Sequence, residues 1–306
     1  MRRPLAGKIA VVAGATRGAG RGIACALGEA GATVYCTGRS TRQGRAAGAT
    51  PRPSSPFALA DRPETIEETA ERVTAAGGTG IAVRVDHTDE DAVRALFTRV
   101  RSDYGRLDVL VNDIWGGDEL SEWGAPFWEL SPAKGRLMLE RAVYTHLVTA
   151  RYGAPLMVEQ KSGLIVEVTD GKDDAYRGNL HYHLVKTAAI QLARGMAEEL
   201  RPHGVAALAV TPGFLRSEAM LEHFGVTEAN WRDGATRDPH FIASETPLYV
   251  GRGIAALAVD LRVHEKSGRV FGSWDLADEY GIRDADGSRP HWGRYYKKHV
   301  RNGEDT

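Results

Sequence analysis

Residues 8–24 constrain this chain most. An apolar run, Ile9 to Ala13, stops at Gly14, and Gly18 and Gly20 follow before small and apolar residues resume at helical spacing. This is the pattern of a strand, a tight turn and a helix. Such a unit holds a pyrophosphate against free backbone N–H groups at a helix N-terminus, where the helix dipole also favours an anion. A Cβ at Gly14, Gly18 or Gly20 would keep that ligand away. The spacing is G-x-x-x-G-x-G rather than G-x-G-x-x-G, so the turn alone is also compatible with an ordinary α/β protein.

The rest of the chain reads as repeated βα units. Strands are expected at 32–37, 81–85, 107–112, 164–169, 205–210 and 268–272, with helices at 64–76, 89–104, 132–159, from Tyr182 to about 200, and at 247–261. Alternation of this kind indicates a Rossmann-type, doubly wound parallel sheet of about seven strands with helices on both faces, and ligands gather at the carboxyl ends of its strands. No repeat, low-complexity tract or linker divides the 306 residues, which are read as one domain. The 39 basic and 40 acidic side chains balance, and 42% of residues are hydrophobic, so nothing favours nucleic acid or a membrane surface as a partner. No run approaches transmembrane length and the start is not a signal peptide, which makes a cytoplasmic protein the expectation. Cys25 and Cys36 have no metal or disulfide spacing and read as buried thiols. No metal site is expected: His181 and His183, two apart, do not share a helix face.

The second strand ends at Gly38-Arg39-Ser40 with no carboxylate nearby. An acidic residue there would suit the ribose hydroxyl of NAD, whereas an arginine suits the 2′-phosphate of NADP. Arg17 in the glycine turn would converge with Arg39 on that phosphate, guanidinium being a good phosphate partner. Residues 42–63, rich in Gly and Pro, form a long loop, either a flap over the adenosine end or an insertion. Residues 113–131 carry Trp115, Trp123, Phe127 and Trp128 and form either a packed cover or the wall of an apolar pocket. Residues 213–246 read as a polar, irregular, mobile lid. The tail, 274–306, gives no role.

Tyr182 and Lys186 lie one helical turn apart, just past a strand end. An ammonium beside a phenol favours the phenolate, so Lys186 is expected to lower the Tyr182 pKa and let it exchange protons near neutral pH.

With Gly14-x-x-x-Gly18-x-Gly20, Asp86 at the third strand end, Asn112 at the fourth, Tyr182-x-x-x-Lys186 and Pro212-Gly213 after the sixth, the sequence resembles the short-chain dehydrogenase/reductase family over residues 5 to 275. The tryptophan-rich loop and the long loop after the second strand are similar to one subgroup of it. The resemblance implies NAD(P)(H), of which Arg17 and Arg39 favour NADP(H) over NAD(H), and interconversion of a small-molecule carbonyl and alcohol. Tyr182 would be the general acid and base, and Lys186 would hold the nicotinamide ribose. Asp86 and His87 would lie at the adenine, Asn112 by the adenosine ribose, and Thr16 and Ser40 along the nucleotide. Pro212 and Gly213 would line the nicotinamide, with Ser217 at the carboxamide or pyrophosphate. Trp115, Trp123 and Phe214 would face the substrate. A homodimer or homotetramer is implied by analogy.

Three departures stand out. The family's N-N-A-G is Asn112-Asp113-Ile114-Trp115, its catalytic serine falls on Asp170, and its relay asparagine falls near Ala142. An ionised Asp170 only accepts hydrogen bonds. Either it is protonated, or Thr169 supplies the hydroxyl, or Asp170 binds a cationic or hydroxyl-rich substrate. The departures also leave room for an alternative: a catalytically impaired NADP(H)-binding regulatory or interaction protein.

Overall fold

The computed structural model describes residues 3–44, 55–59, 62–173 and 175–301. Most of the 42–63 loop, at 45–54, 60 and 61, lies outside the described residues. Seven strands, β1 (Ile9–Ala13), β2 (Thr33–Gly38), β3 (Thr79–Arg84), β4 (Val109–Asn112), β5 (Gly163–Val168), β6 (Val205–Thr211) and β7 (Val270–Gly272), form one parallel sheet. Its order is β3-β2-β1-β4-β5-β6-β7. The apolar runs of β1, β4 and β6 are buried throughout, as expected of parallel strands covered on both faces.

Among the described residues, ten α-helices accompany the sheet: α1 (Gly18–Glu29), α2 (Ile66–Ala76), α3 (Glu90–Tyr104), α4 (Pro132–Leu139), α5 (Thr145–Gln160), α6 (Leu180–Leu200), α7 (Glu218–Phe224), α8 (Pro247–Val259), α9 (Ser273–Tyr280) and α10 (Trp292–His299). One face of the sheet carries α1, α2 and α8, with Ile23, Leu27, Val73 and Ile254 packed on Val12 and Val34. The other carries α3, α5 and α6, with Leu96, Phe97, Met157 and Ala197 against Val11, Leu110 and Ile165. Helix α1 and α8 meet through glycine: a Cβ at Gly22 would strike the Pro247 backbone, and one at Gly251 would strike the Gly22 carbonyl. Cys36 is buried, whereas Cys25 is only half-buried.

Several elements differ from expectation. The single helix expected over 132–159 is interrupted by a π-helical turn, Glu140–Tyr144, between α4 and α5. The lid is neither irregular nor simply polar. It contains α7 and two 3-10 turns, Trp231–Thr236 and Pro239–Ala243, around its own buried cluster of Phe224, Trp231 and Phe241. Buried Arg216 donates to the Ser244 carbonyl at 2.8 Å and stacks 4.0 Å over the Trp231 ring. Aromatic contacts distant in sequence order this segment, and local composition does not reveal them. Among the described residues, no helix is long and apolar enough to cross a membrane.

Candidate active site

The register of the sheet brings Ala13 level with Thr37 on one side and Asn112 on the other. Gly14 therefore emerges between two strand ends at the point where strand order reverses, the usual ligand crevice of such sheets. At φ +90° it takes a conformation glycine tolerates, and a Cβ there would run into the Asp113 carbonyl. A cavity of about 890 Å³ opens here and crosses the carboxyl edge of the sheet.

At one end the cavity is lined by Gly14, Thr16, Arg17, Gly18, Arg39, Ser40, Asp86 and His87. Arg17 Nη1 lies 3.5 Å from Glu64 Oε2, and Arg39 Nη1 lies 3.9 Å from Asp86 Oδ2. The two guanidinium groups face one cavity, but each is held by a carboxylate rather than left as bare charge. The side chain of His87 turns inward and is shared between Thr37 Oγ1 at 2.8 Å and Thr149 Oγ1 at 2.9 Å. Burial drives its pKa down to about 3.

The other end is lined by Trp115, Asp118, Thr169, Asp170, Tyr182, Lys186, Pro212, Gly213, Phe214 and Ser217. Tyr182 sits in the first turn of α6, its N–H held by the N-cap Asn179 at 3.1 Å. Asn179 also donates to the Glu122 carbonyl, which ties the tryptophan-rich loop to this helix. The Tyr182 ring lies between Trp115 and Trp123, at centroid distances of 5.6 and 5.1 Å. The Lys186 ammonium is 4.0 Å from the centre of the Trp115 ring. Burial lowers the Lys186 pKa, while Asp170, Asp113 and Asp118 oppose the shift.

The expected lowering of the Tyr182 pKa is reversed. Its hydroxyl donates to Asp170 Oδ2 at 3.0 Å, and burial together with that neighbouring carboxylate raises its pKa well above the ordinary phenol value. The positive charge of Arg177 opposes the shift but is outweighed, because a phenolate here would be desolvated and would face negative charge.

Four further expectations are corrected. The Thr169 hydroxyl is not offered to the cavity: it donates to the Lys186 carbonyl at 2.6 Å. The Asn112 amide is fully buried and donates to Glu167 Oε1 at 2.7 Å, because the register sets Asn112 beside Glu167. Gly20 supports the turn from behind, where a Cβ would strike the Gly14 carbonyl. Trp123 stands at the mouth, 58% exposed, and Phe127 and Trp128 are more exposed still. Of the four aromatic side chains of this loop, only Trp115 forms cavity wall.

Comparisons with known proteins identify the family of this fold. Residues 53–261 match the family model described as enoyl-(acyl carrier protein) reductase. The chain is 35% identical over 297 residues to human dehydrogenase/reductase SDR family member 1, covering 94% of this chain and 86% of that protein. The chain belongs to the short-chain dehydrogenase/reductase family. The subgroup likeness read from the two long loops points to the same relative. Among solved structures, a short-chain dehydrogenase from Mycobacterium thermoresistibile superposes with a TM-score of 0.72 at 23% identity, covering 94% of this chain and 92% of that one. A metagenomic short-chain oxidoreductase in complex with NADP superposes with a TM-score of 0.63 at 24% identity, covering 88% and 96%. As a member of the short-chain dehydrogenase/reductase family, the protein is a nicotinamide-dependent oxidoreductase.

The residues at the glycine turn fit such a cofactor. Helix α1 has no side-chain cap and no acidic residue in its first turn. Its N–H groups draw carboxylates from elsewhere: Gly18 donates to Glu218 Oε2 at 2.8 Å, and Gly20 donates to Asp113. A helix end that collects two carboxylates is an anion-seeking site.

Sequence reasoning missed several residues of this short-chain dehydrogenase/reductase site. Glu218 follows the expected Ser217 directly, and its carboxylate also reaches Arg21 at 3.3 Å. Asp113 follows Asn112, and burial pushes its carboxyl up to about 7. Trp292, in the tail that gave no role, lines the cavity and packs on Phe214 at 5.7 Å. The first two adjoin motif positions and were findable; nothing in the sequence marks Trp292.

Proposed function

We propose that this chain is an NADP(H)-dependent oxidoreductase that interconverts a carbonyl and an alcohol on a small molecule, with Tyr182 as general acid and base. The observation that carries the reading is the meeting of Tyr182 and Lys186 with the glycine turn in one cavity. The bound nicotinamide would supply or accept the hydride. Tyr182 Oη would give its proton to the substrate oxygen in reduction and take it back in oxidation. The Lys186 ammonium would hold the nicotinamide ribose and counter the charge left on Tyr182. Arg17 and Arg39 would read the 2′-phosphate, with Thr16, Gly18 and Ser40 along the nucleotide and Asp86 at the adenine. Pro212, Gly213 and Ser217 would face the nicotinamide, and Trp115 and Phe214 the substrate. The exposed Leu147 of α5 and Leu184 of α6 would be covered in a homodimer or homotetramer in the cytoplasm. A non-catalytic interaction protein is the less favoured reading, because it leaves the Tyr182–Lys186 pair unexplained.

Two measurements test this. The Tyr182→Phe variant should lose turnover at least a hundredfold on any carbonyl that the wild type reduces with NADPH, with NADPH affinity within about threefold of wild type. Undiminished turnover would refute Tyr182 as the acid.

A further inference from the structure

We propose that Asp170 makes this site select ketones bearing a hydroxyl on the neighbouring carbon, and the vicinal diols formed from them. The inference rests on the oxidoreductase reading above and narrows its substrate class.

Asp170 follows β5 and faces the cavity half-buried. Its Oδ2 accepts from the Tyr182 hydroxyl at 3.0 Å, and no other donor among the described residues reaches the carboxylate. The neighbouring donors are committed elsewhere, the Gly171 N–H to Thr211 Oγ1 and the Thr169 hydroxyl to the Lys186 carbonyl. One carboxylate oxygen therefore stands beside the reacting phenol with no protein donor among the described residues.

A carboxylate offers only acceptors, and so does a plain ketone. Beside Asp170, a plain ketone supplies no donor to the free oxygen, and the negative charge growing on its carbonyl oxygen is opposed rather than stabilised. A hydroxyl on the next carbon removes both penalties, because it donates to Asp170 while the carbonyl oxygen takes up Tyr182. The 3.0 Å between Tyr182 Oη and Asp170 Oδ2 is about the spacing of two gauche oxygens on neighbouring carbons. An ammonium would also satisfy the carboxylate. That choice is the poorer one, since the Lys186 ammonium already stands 4.0 Å over the Trp115 ring and would repel a second cation. The Trp115 ring beside Tyr182 supplies a flat apolar wall for the carbon skeleton, with Trp123 at the mouth.

The step balances with the reduced nicotinamide as reductant. The carbonyl carbon receives hydride with its electron pair, the C=O π pair moves to oxygen, and that oxygen takes the Tyr182 proton. The neighbouring hydroxyl keeps its own proton, shared with Asp170. The products are the vicinal diol, the oxidised nicotinamide and the Tyr182 phenolate, which regains its proton from solvent.

The experiment compares wild type, Asp170→Ser and Asp170→Asn on matched pairs, 2-hydroxycyclohexanone with cyclohexanone and benzoin with deoxybenzoin, with NADPH. In parallel, quenching of tryptophan fluorescence by 2-hydroxycyclohexanone and by cyclohexanone reports binding without turnover. Cofactor affinity of each variant checks its fold. A site built to pair a substrate hydroxyl rejects the analogue lacking it. The wild type should therefore favour the hydroxyketone at least about tenfold in kcat/KM and bind it more tightly. Both variants should bring the ratio to about one or below, chiefly by gaining activity on the plain ketone. Turnover without preference in the wild type, or a preference that survives in both variants, overturns the inference and leaves the oxidoreductase reading standing. Loss of all turnover by every protein on all four ketones, with NADPH bound, overturns both.

Discussion

Glu245 is a carboxyl group placed where charge is costly. It is fully buried behind Gly213, where Oε2 accepts from the Ser273 hydroxyl at 2.6 Å and Oε1 has no partner. Burial pushes its pKa up to about 8, with the charge of Asp284 acting in the same direction and the Ser273 hydrogen bond acting against it. The folded state thus holds a proton that the unfolded chain has released above the ordinary carboxylate range. That contribution is complete at low pH and fades as pH rises towards 8. Asp113, at about 7, has the same sign. His87, at about 3, has the opposite one, and acts below the usual histidine range. The informative quantity is therefore the difference between two proteins. Glu245→Gln keeps an acceptor for Ser273 and cannot titrate, so its stability should fall less steeply between pH 5 and 8, by up to about 1.4 kcal/mol per pH unit. Urea denaturation across that range measures it, and superimposable slopes would show that Glu245 does not carry the proton. The residue scale also marks the limit of what spacing conveys. Tyr182 and Lys186 are legible as partners because they stand one helical turn apart. The sign of the Tyr182 shift is not, because it is set by Asp170, which only the fold brings to the phenol.

Elements were legible where their signals are local. Asp89 caps α3 and Gly77 closes α2 in the left-handed conformation, each at the boundary the sequence announces. The apolar strand runs of β1, β4 and β6 stand out for the same reason. The π-helical turn at Glu140–Tyr144 and the lid around Phe224, Trp231 and Phe241 have no periodic signature, so pattern reading extends a helix through the first and leaves the second shapeless. Asn179 shows how a small element signal carries a site. Its side chain caps α6 directly at the Tyr182 N–H and anchors the aromatic loop through the Glu122 carbonyl. Replacing it with alanine frees both groups. Asn179→Ala should cost about 0.5–2 kcal/mol of stability, the range for a lost N-cap. Because the same bonds set the Tyr182 ring between Trp115 and Trp123, kcat should also fall while NADPH affinity stays within about twofold. A stability loss with unchanged kcat would reduce Asn179 to a cap alone.

Across the whole molecule, the cavity draws on both ends of the chain: the glycine turn from the first strand and helix, Trp292 from the last helix. A ligand that bridges such distant segments binds only the folded state, so it should raise global stability by mass action, about 2.7 kcal/mol at a hundredfold excess over Kd. This provides a test of cofactor preference that needs no substrate. Arg17 and Arg39 are already shared with Glu64 and Asp86, so an added phosphate must compete with those carboxylates for them. Competition lowers the gain but keeps its sign, since a guanidinium can serve a carboxylate and a phosphate together and a charged hydrogen bond contributes about 1.5–3 kcal/mol. NADPH should therefore raise Tm more than NADH at equal concentration, equivalent to roughly tenfold to hundredfold tighter binding. Arg17→Ala with Arg39→Ala should erase that difference by weakening NADPH while leaving the NADH shift in place. If the doubly substituted protein still prefers NADPH, the phosphate is read elsewhere; if the wild type responds equally to both, the second strand end does not discriminate, and the charge of Arg39 serves Asp86 alone.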